Sequence, residues 1–233
     1  MMSSRTIRLA TIVLVGLVTV ADAAEVTRPV GVVNVNFPIL NGFCLTEDSN
    51  PRDAIFINQM ATLLRNSKSR LIVLSMDCGR QRTWREGDEG NIYDYSSYYI
   101  PVVHEAPILK GNKAALRKTL CTNMRKQGDA TLRPIKDIVA NAAEELNTNV
   151  AVNTTKMIGV VGEDQHACYS ALLVGVRTPN NESIMMSVLI IATVVRGKPI
   201  FSTIYHEYKG PETTQRSLEE AKSLAAAFDA RNP

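Results

Sequence analysis

Residues 183–208 read SIMMSVLIIATVVRGKPIFSTIYHEY. Ile184 to Val195 is apolar at nearly every position, as in a central strand covered on both faces. Ser187 and Thr193 interrupt the run, which is too short for a membrane span of about 20 residues. Arg196-Gly197-Lys198-Pro199 is a tight connection, and Ile200 to Tyr208 returns. Strand, short turn and strand in succession make an antiparallel meander. Upstream, Lys156 to Val161 and Ala167 to Arg177 add two strands around Gly162-Glu163-Asp164-Gln165, and Thr178-Pro179-Asn180-Asn181 is a turn. Downstream, Gly210-Pro211-Glu212 opens a last helix with Leu218, Ala221, Leu224, Ala225 and Phe228 on one face.

Moving outward, the periodicity predicts helices over 51–66, 112–127 and 134–147, in addition to the last one over 212–229. The first has Ser49 or Asn50 as cap, Pro51 at the first helical position, Asp53 in the first turn, and Phe56, Met60, Leu63 and Leu64 on one face. Val30 to Asn36 reads as a strand and Asn41-Gly42 as a turn, with Phe43 to Leu45 a short strand after it. Arg70 to Met76 is a buried strand. Residues 80–91 read as a helical turn and a charged loop. Tyr93 to Val103 suits an edge strand, because Pro101 cannot donate to a ladder. The fold class is α+β: a single antiparallel β-sheet flanked by helices on both faces.

Of the 233 residues, the first 23 read as a leader rather than as fold. Arg5 and Arg8 precede an apolar stretch from Leu9 to Val20, and Ala21-Asp22-Ala23 offers the small residues of a cleavage site. Residues 1–23 are thus expected to be a signal peptide and 24–233 a single exported domain, periplasmic or secreted. Two arginines and one aspartate leave with the leader, so the formal charge of +3 falls to +2. So small a charge selects no class of partner. No DNA or RNA motif points to nucleic acid.

The chain has 4 cysteines, and an even number in an exported chain reads as two disulfides with three possible connectivities. Cys44–Cys78 with Cys121–Cys168 is the favoured pairing, since the first would join two segments flanking one helix. No Cys-x-x-Cys occurs, so no metal site is assigned. No cofactor is assigned either.

Two stretches together resemble the PsbP-like fold, whose members include photosystem accessory proteins, a Ran-binding nuclear transport factor and periplasmic DcrB-type proteins. One is Asn36-Phe37-Pro38 through Gly42-Phe43-Cys44. The other runs from Ile190 to Phe228, where a strand, Arg-Gly-Lys-Pro, a second strand and an amphipathic helix follow in order. The resemblance implies an α+β sandwich of the accessory or binding kind, with no shared catalytic residues to carry over.

Three groups of residues are candidates for function. Glu163-Asp164-Gln165-His166 puts two carboxylates and an imidazole within four residues, a composition suited to acid–base work or to a polar turn. Trp84, Tyr95, Tyr98 and Tyr99 are residue types favoured in recognition surfaces. Lys113 and Arg117 lead a helix with no acid between 106 and 128, which suits an anionic surface or an envelope protein. Neither a Gly-x-Ser-x-Gly nor a His-Glu-x-x-His motif is present. The first expectation is an exported, non-enzymatic accessory or binding protein of the cell envelope. The rival is a small secreted hydrolase centred on residues 163–166. A third possibility, an apolar ligand held between sheet and helices, calls for a large interior pocket.

Overall fold

The computed structural model describes residues 24–87, 93–127, 133–145, 151–177 and 182–233. The leader assigned to residues 1–23 and the turn at 178–181 lie outside the described residues. The seven-stranded antiparallel sheet has the order β3 (Phe43–Leu45), β4 (Ser69–Asp77), β5 (Tyr95–Pro101), β9 (Lys198–Glu207), β8 (Ser183–Val195), β7 (Cys168–Arg177), β6 (Ala151–Glu163). A separate two-stranded hairpin, β1 (Glu25–Val30) and β2 (Val33–Pro38), turns at Gly31 and Val32. The single strand expected over Val30–Asn36 is therefore a turn and part of β2, and the single sheet has a two-stranded companion.

The helices are α1 (Pro51–Asn66), α2 (Cys78–Arg85), α3 (Lys113–Gln127), α4 (Arg133–Glu145) and α5 (Pro211–Ala230). Asn50 caps α1 by accepting from the Arg52 and Asp53 amides. Asp53 does more than complement the helix dipole. Its fully buried carboxylate accepts from Arg85 Nη2 at 2.5 Å and from the Glu47 amide at 3.0 Å, so it fastens α1 to α2. Part of the charged 80–91 stretch is thus a helix, begun by Asp77, whose side chain accepts from the Arg80 amide.

Register assigns each strand residue to a face. Tyr98, Ser202, Ile191 and Tyr169 lie in one row across β5, β9, β8 and β7; Tyr99, Phe201, Ala192 and Cys168 lie in the next row, on the opposite face. The first face is covered by α5 and the β1–β2 hairpin, where Phe37, Leu224 and Phe228 meet Tyr98, Ile191 and Ile204. The second face is covered by α1, α3 and α4. Helices on both faces are what the doubly apolar β8 required.

β8 and β9 join through Arg196 (φ 49°) and Gly197 (φ 73°), a two-residue turn with both positions left-handed. A Cβ on Gly197 would stand 2.5 Å from Ile108 Cγ2 and 3.0 Å from the Leu109 carbonyl, so the chain after β5 packs against this bare backbone. The fully buried Lys198 completes the junction, donating from Nζ to the carbonyls of Glu105, Ala106 and Pro107 at 2.6, 3.1 and 2.9 Å.

Candidate functional site

The second face of the sheet is not filled by its helices. Between it and helices α1 and α4 lies a cavity of about 500 Å³, in the range of small-molecule sites. Leu172, Val174, Met186, Val188 and Ile190 form its apolar floor, and Met60, Leu63, Ile138 and Val139 its helical wall. Tyr95, Tyr99, Thr203 and Tyr205 add a strip of neutral hydroxyls, and among the described residues no charged one lines it. A molecule that enters this pocket and covers its apolar lining would stabilise the folded chain by mass action.

The aromatic residues of the sequence reading divide between three places. Tyr95 and Tyr99 line the cavity. Tyr98 points to the other face, 3% exposed, and donates to the Pro38 carbonyl at 2.8 Å. Trp84 packs against the Phe56–Met60 cluster with the Arg52 guanidinium 5.1 Å from its ring. The tyrosine strand is not an edge: β4 and β9 pair with it on either side. Pro101 is its last residue, opposite Ser69, where a missing amide costs the ladder least. The tyrosines therefore face the interior rather than a partner protein.

The basic helix α3 is also turned to internal use. Lys113 pairs with Asp229, Arg117 donates to the Gln165 carbonyl, and Arg125 Nη2 lies 2.6 Å from Glu163 Oε2. These contacts bind α3 to α5 and to the β6–β7 turn.

In that turn, each candidate group has a structural partner. Asp164 accepts from the His166 and Ala167 amides at 2.7 and 3.0 Å and from the Tyr169 hydroxyl at 2.8 Å. Burial pushes its carboxyl up, but these hydrogen bonds outweigh it and hold it below the usual range. His166 Nδ1 meets Asp229 at 2.9 Å and Nε2 lies 3.1 Å from Gln165 Nε2. Glu163 is taken by Arg125, whose hydrogen bond lowers its carboxyl. The hydrogen bonds of the imidazole ring go to a carboxylate and an amide, with no hydroxyl or thiol among those partners. Nucleophilic catalysis needs such a contact.

His206, on β9, is a buried and satisfied histidine clamped between two carboxylates. Its ring, 3% exposed, donates from Nδ1 to Asp94 at 2.5 Å and from Nε2 to Glu220 at 2.7 Å. Burial alone would lower the imidazole's pKa; the two carboxylates outweigh it and raise it. The clamp docks α5 onto the sheet. Both ring nitrogens are occupied, so the group is structural.

Cys44 and Cys78 form a disulfide with Cα atoms 4.9 Å apart. It joins β3 to the start of α2. Cys121 and Cys168 are thiols here, fully buried between α3 and β7, so the second expected bridge is not formed in this structure. The two are in contact, however. Burial raises both, and the Cys121 thiol donates to the Cys168 sulfur.

Among the described residues no group of three or more His, Cys, Asp or Glu could hold a metal ion, and no helix is long and apolar enough to cross a membrane.

Together these features define an α+β sandwich with an apolar internal site. No family model matches the chain, and no curated protein matches it significantly. Among solved structures it is similar to the solution structure of cyanobacterial PsbP (CyanoP) from Synechocystis sp. PCC 6803, at 12% identity and a TM-score of 0.34, covering 93% of this chain and 96% of that one. A likeness at that level has no bearing on what this chain binds.

The cavity residues Leu172, Val174, Val188 and Tyr205 were not singled out from sequence. Their one signal was the apolar and aromatic character of β7, β8 and β9, which reads equally well as packed core.

Proposed function

We propose that this chain is an exported, non-enzymatic binding protein of the cell envelope that takes a small apolar ligand between its sheet and helices α1 and α4. The cavity of about 500 Å³, lined without a charge among the described residues, carries the reading. The leader-like first 23 residues and the Cys44–Cys78 disulfide support the compartment. In such a compartment Cys121 and Cys168 are expected to close as well, giving two electrons and two protons to a disulfide oxidant, which leaves as its dithiol. Peptide mapping without reductant reads that step, and finding both as thiols in protein taken from the envelope removes it.

The main test has two parts. Protein purified from the envelope fraction is examined by native mass spectrometry for a co-purifying species, and it is then titrated with an apolar fluorescent dye such as N-phenylnaphthylamine. The expected result is saturable one-to-one binding that Val188→Phe abolishes by filling the floor. Absence of any bound species together with no saturable dye binding would sink the reading.

A further inference from the structure

The cavity wall is divided, and the division specifies a ligand. On β7 and β8 every lining residue is apolar: Leu172, Val174, Val176, Met186, Val188 and Ile190. On β5 and β9 the lining includes four hydroxyl groups, those of Tyr95, Tyr99, Thr203 and Tyr205. Register makes this a continuous strip. Tyr95 is opposite Tyr205, and Ser97 is opposite Thr203 with their hydroxyl oxygens 2.6 Å apart. Ring contacts hold the strip in place: Tyr95 stacks on Tyr205 at 4.1 Å, Phe56 meets Tyr95 edge-on at 5.2 Å, and Tyr99 stacks on Phe201 at 5.7 Å.

The chemistry of the strip is one-sided. Burial pushes all three phenols above their ordinary range, so they remain protonated at physiological pH and are available as donors. A carboxylate inside the cavity would lose its water without gaining a cation, and an alkylammonium would do the same without gaining an anion. A pure hydrocarbon would satisfy the β7–β8 half and offer no acceptor to the tyrosine hydroxyls.

We propose that the ligand is an electroneutral molecule with an apolar body and a hydrogen-bond-accepting oxygen, such as an ester or ketone carbonyl, the body lying on β7 and β8 and the carbonyl meeting the tyrosine strip of β5 and β9. This rests on the reading of the cavity as a binding site, and the test separates the two.

Four competitors of equal chain length displace N-phenylnaphthylamine at pH 8 from the purified protein: a fatty-acid methyl ester, the free fatty acid, the alkylamine and the alkane. The ester is expected to displace the dye at concentrations at least ~10-fold lower than the acid or the amine. Tyr95→Phe and Tyr205→Phe, each with an unchanged circular dichroism spectrum, are expected to weaken the ester ~5–10-fold per hydroxyl and so to narrow its advantage over the alkane measured on the same variant. A preference for the acid or amine overturns the ligand class and leaves the cavity reading standing. So does an ester advantage that survives Tyr95→Phe, Tyr99→Phe and Tyr205→Phe combined. No dye binding by the unsubstituted protein removes both.

Discussion

On one face of the sheet Phe37 lies 5.0 Å from Tyr98 and 5.4 Å from Phe228, ring centroid to ring centroid, and Leu224, Ile191 and Ile204 close the gaps. On the other, side chains from the same strands border a cavity of about 500 Å³ below α1 and α4. The strands are common to both, so strand propensity is not the difference. The covering elements are. α5 sends Ala221, Leu224, Ala225 and Phe228 onto the sheet and is fastened by the His206 clamp and by Asn232, which donates to the Asn36 carbonyl at 2.8 Å. α3 packs on β8 near Cys168 and Ala192, α1 packs mainly on β4 toward the edge of the sheet, and α4 reaches α1 and the edge strand β6, so only the part of the central strands between α1 and α4 is spanned rather than packed. One face is closely filled, and the other leaves an apolar pocket.

The largest expected effect tests that contrast directly. Phe228→Ala should cost ~3–5 kcal/mol in urea unfolding, whereas Val188→Ala, beside space already open, should cost about 1 kcal/mol or less. Equal losses would mean that the two faces are packed alike.

A control belongs to neither face. Replacing Cys44 and Cys78 by serine opens a loop of sequence separation 34. In the chain-entropy model this removes ~3–4 kcal/mol, and it should do so without changing dye affinity. A loss of dye binding at temperatures where that variant is still folded would tie the disulfide to the site.

A smaller effect has the opposite sign. Val188→Phe should raise the unfolding free energy by about 1 kcal/mol while eliminating dye binding, the trade between stability and function expected where a cavity is kept open. Destabilisation on that scale would show the floor to be tightly packed.

The smallest effect is in pH. His206 has a raised pKa in the folded chain, so its contribution is fully present below the unfolded value of about 6.5 and is lost as pH rises through the higher folded value. Asp94, lowered first by its hydrogen bond to His206, contributes above its unfolded value of about 4 and loses that contribution as pH falls. Glu220 and Arg216 of α5 and Arg80 of α2 complete the charges around the pair. Denaturation midpoints should therefore fall from pH 6 to pH 9, and His206→Gln should flatten that slope while leaving the cavity face unchanged. An unaltered slope in the variant would place the pH dependence elsewhere.

Much of this was legible in residues 183–208 and the helix after them. Apolar continuity marked β8 as central, Arg196-Gly197 marked its hairpin, and the 3.6-residue spacing of Leu224, Ala225 and Phe228 marked α5 as a cover. These are local signals, each carried by neighbours in the chain. The site was legible only in pieces. Tyr95 and Tyr99 stood out as recognition residues, but Tyr98 stood out equally, and alternation along a strand does not say which parity meets a filled core and which an open one. The charges of α3 looked like a surface because their partners Asp229, Glu163 and the Gln165 carbonyl are far away in sequence.

By itself, then, the sequence determined the class of fold, the four longer helices and the C-terminal meander, because hydrophobic period, caps and turns act over a few residues, and it left three cysteine pairings open. Tertiary structure alone decided that the tyrosine strand is interior, that Lys113 and Arg125 of the basic helix pair with Asp229 and Glu163, and that one face of the sheet holds an apolar pocket. Those outcomes depend on where each helix lands on the sheet, and that is set by contacts between residues tens of positions apart.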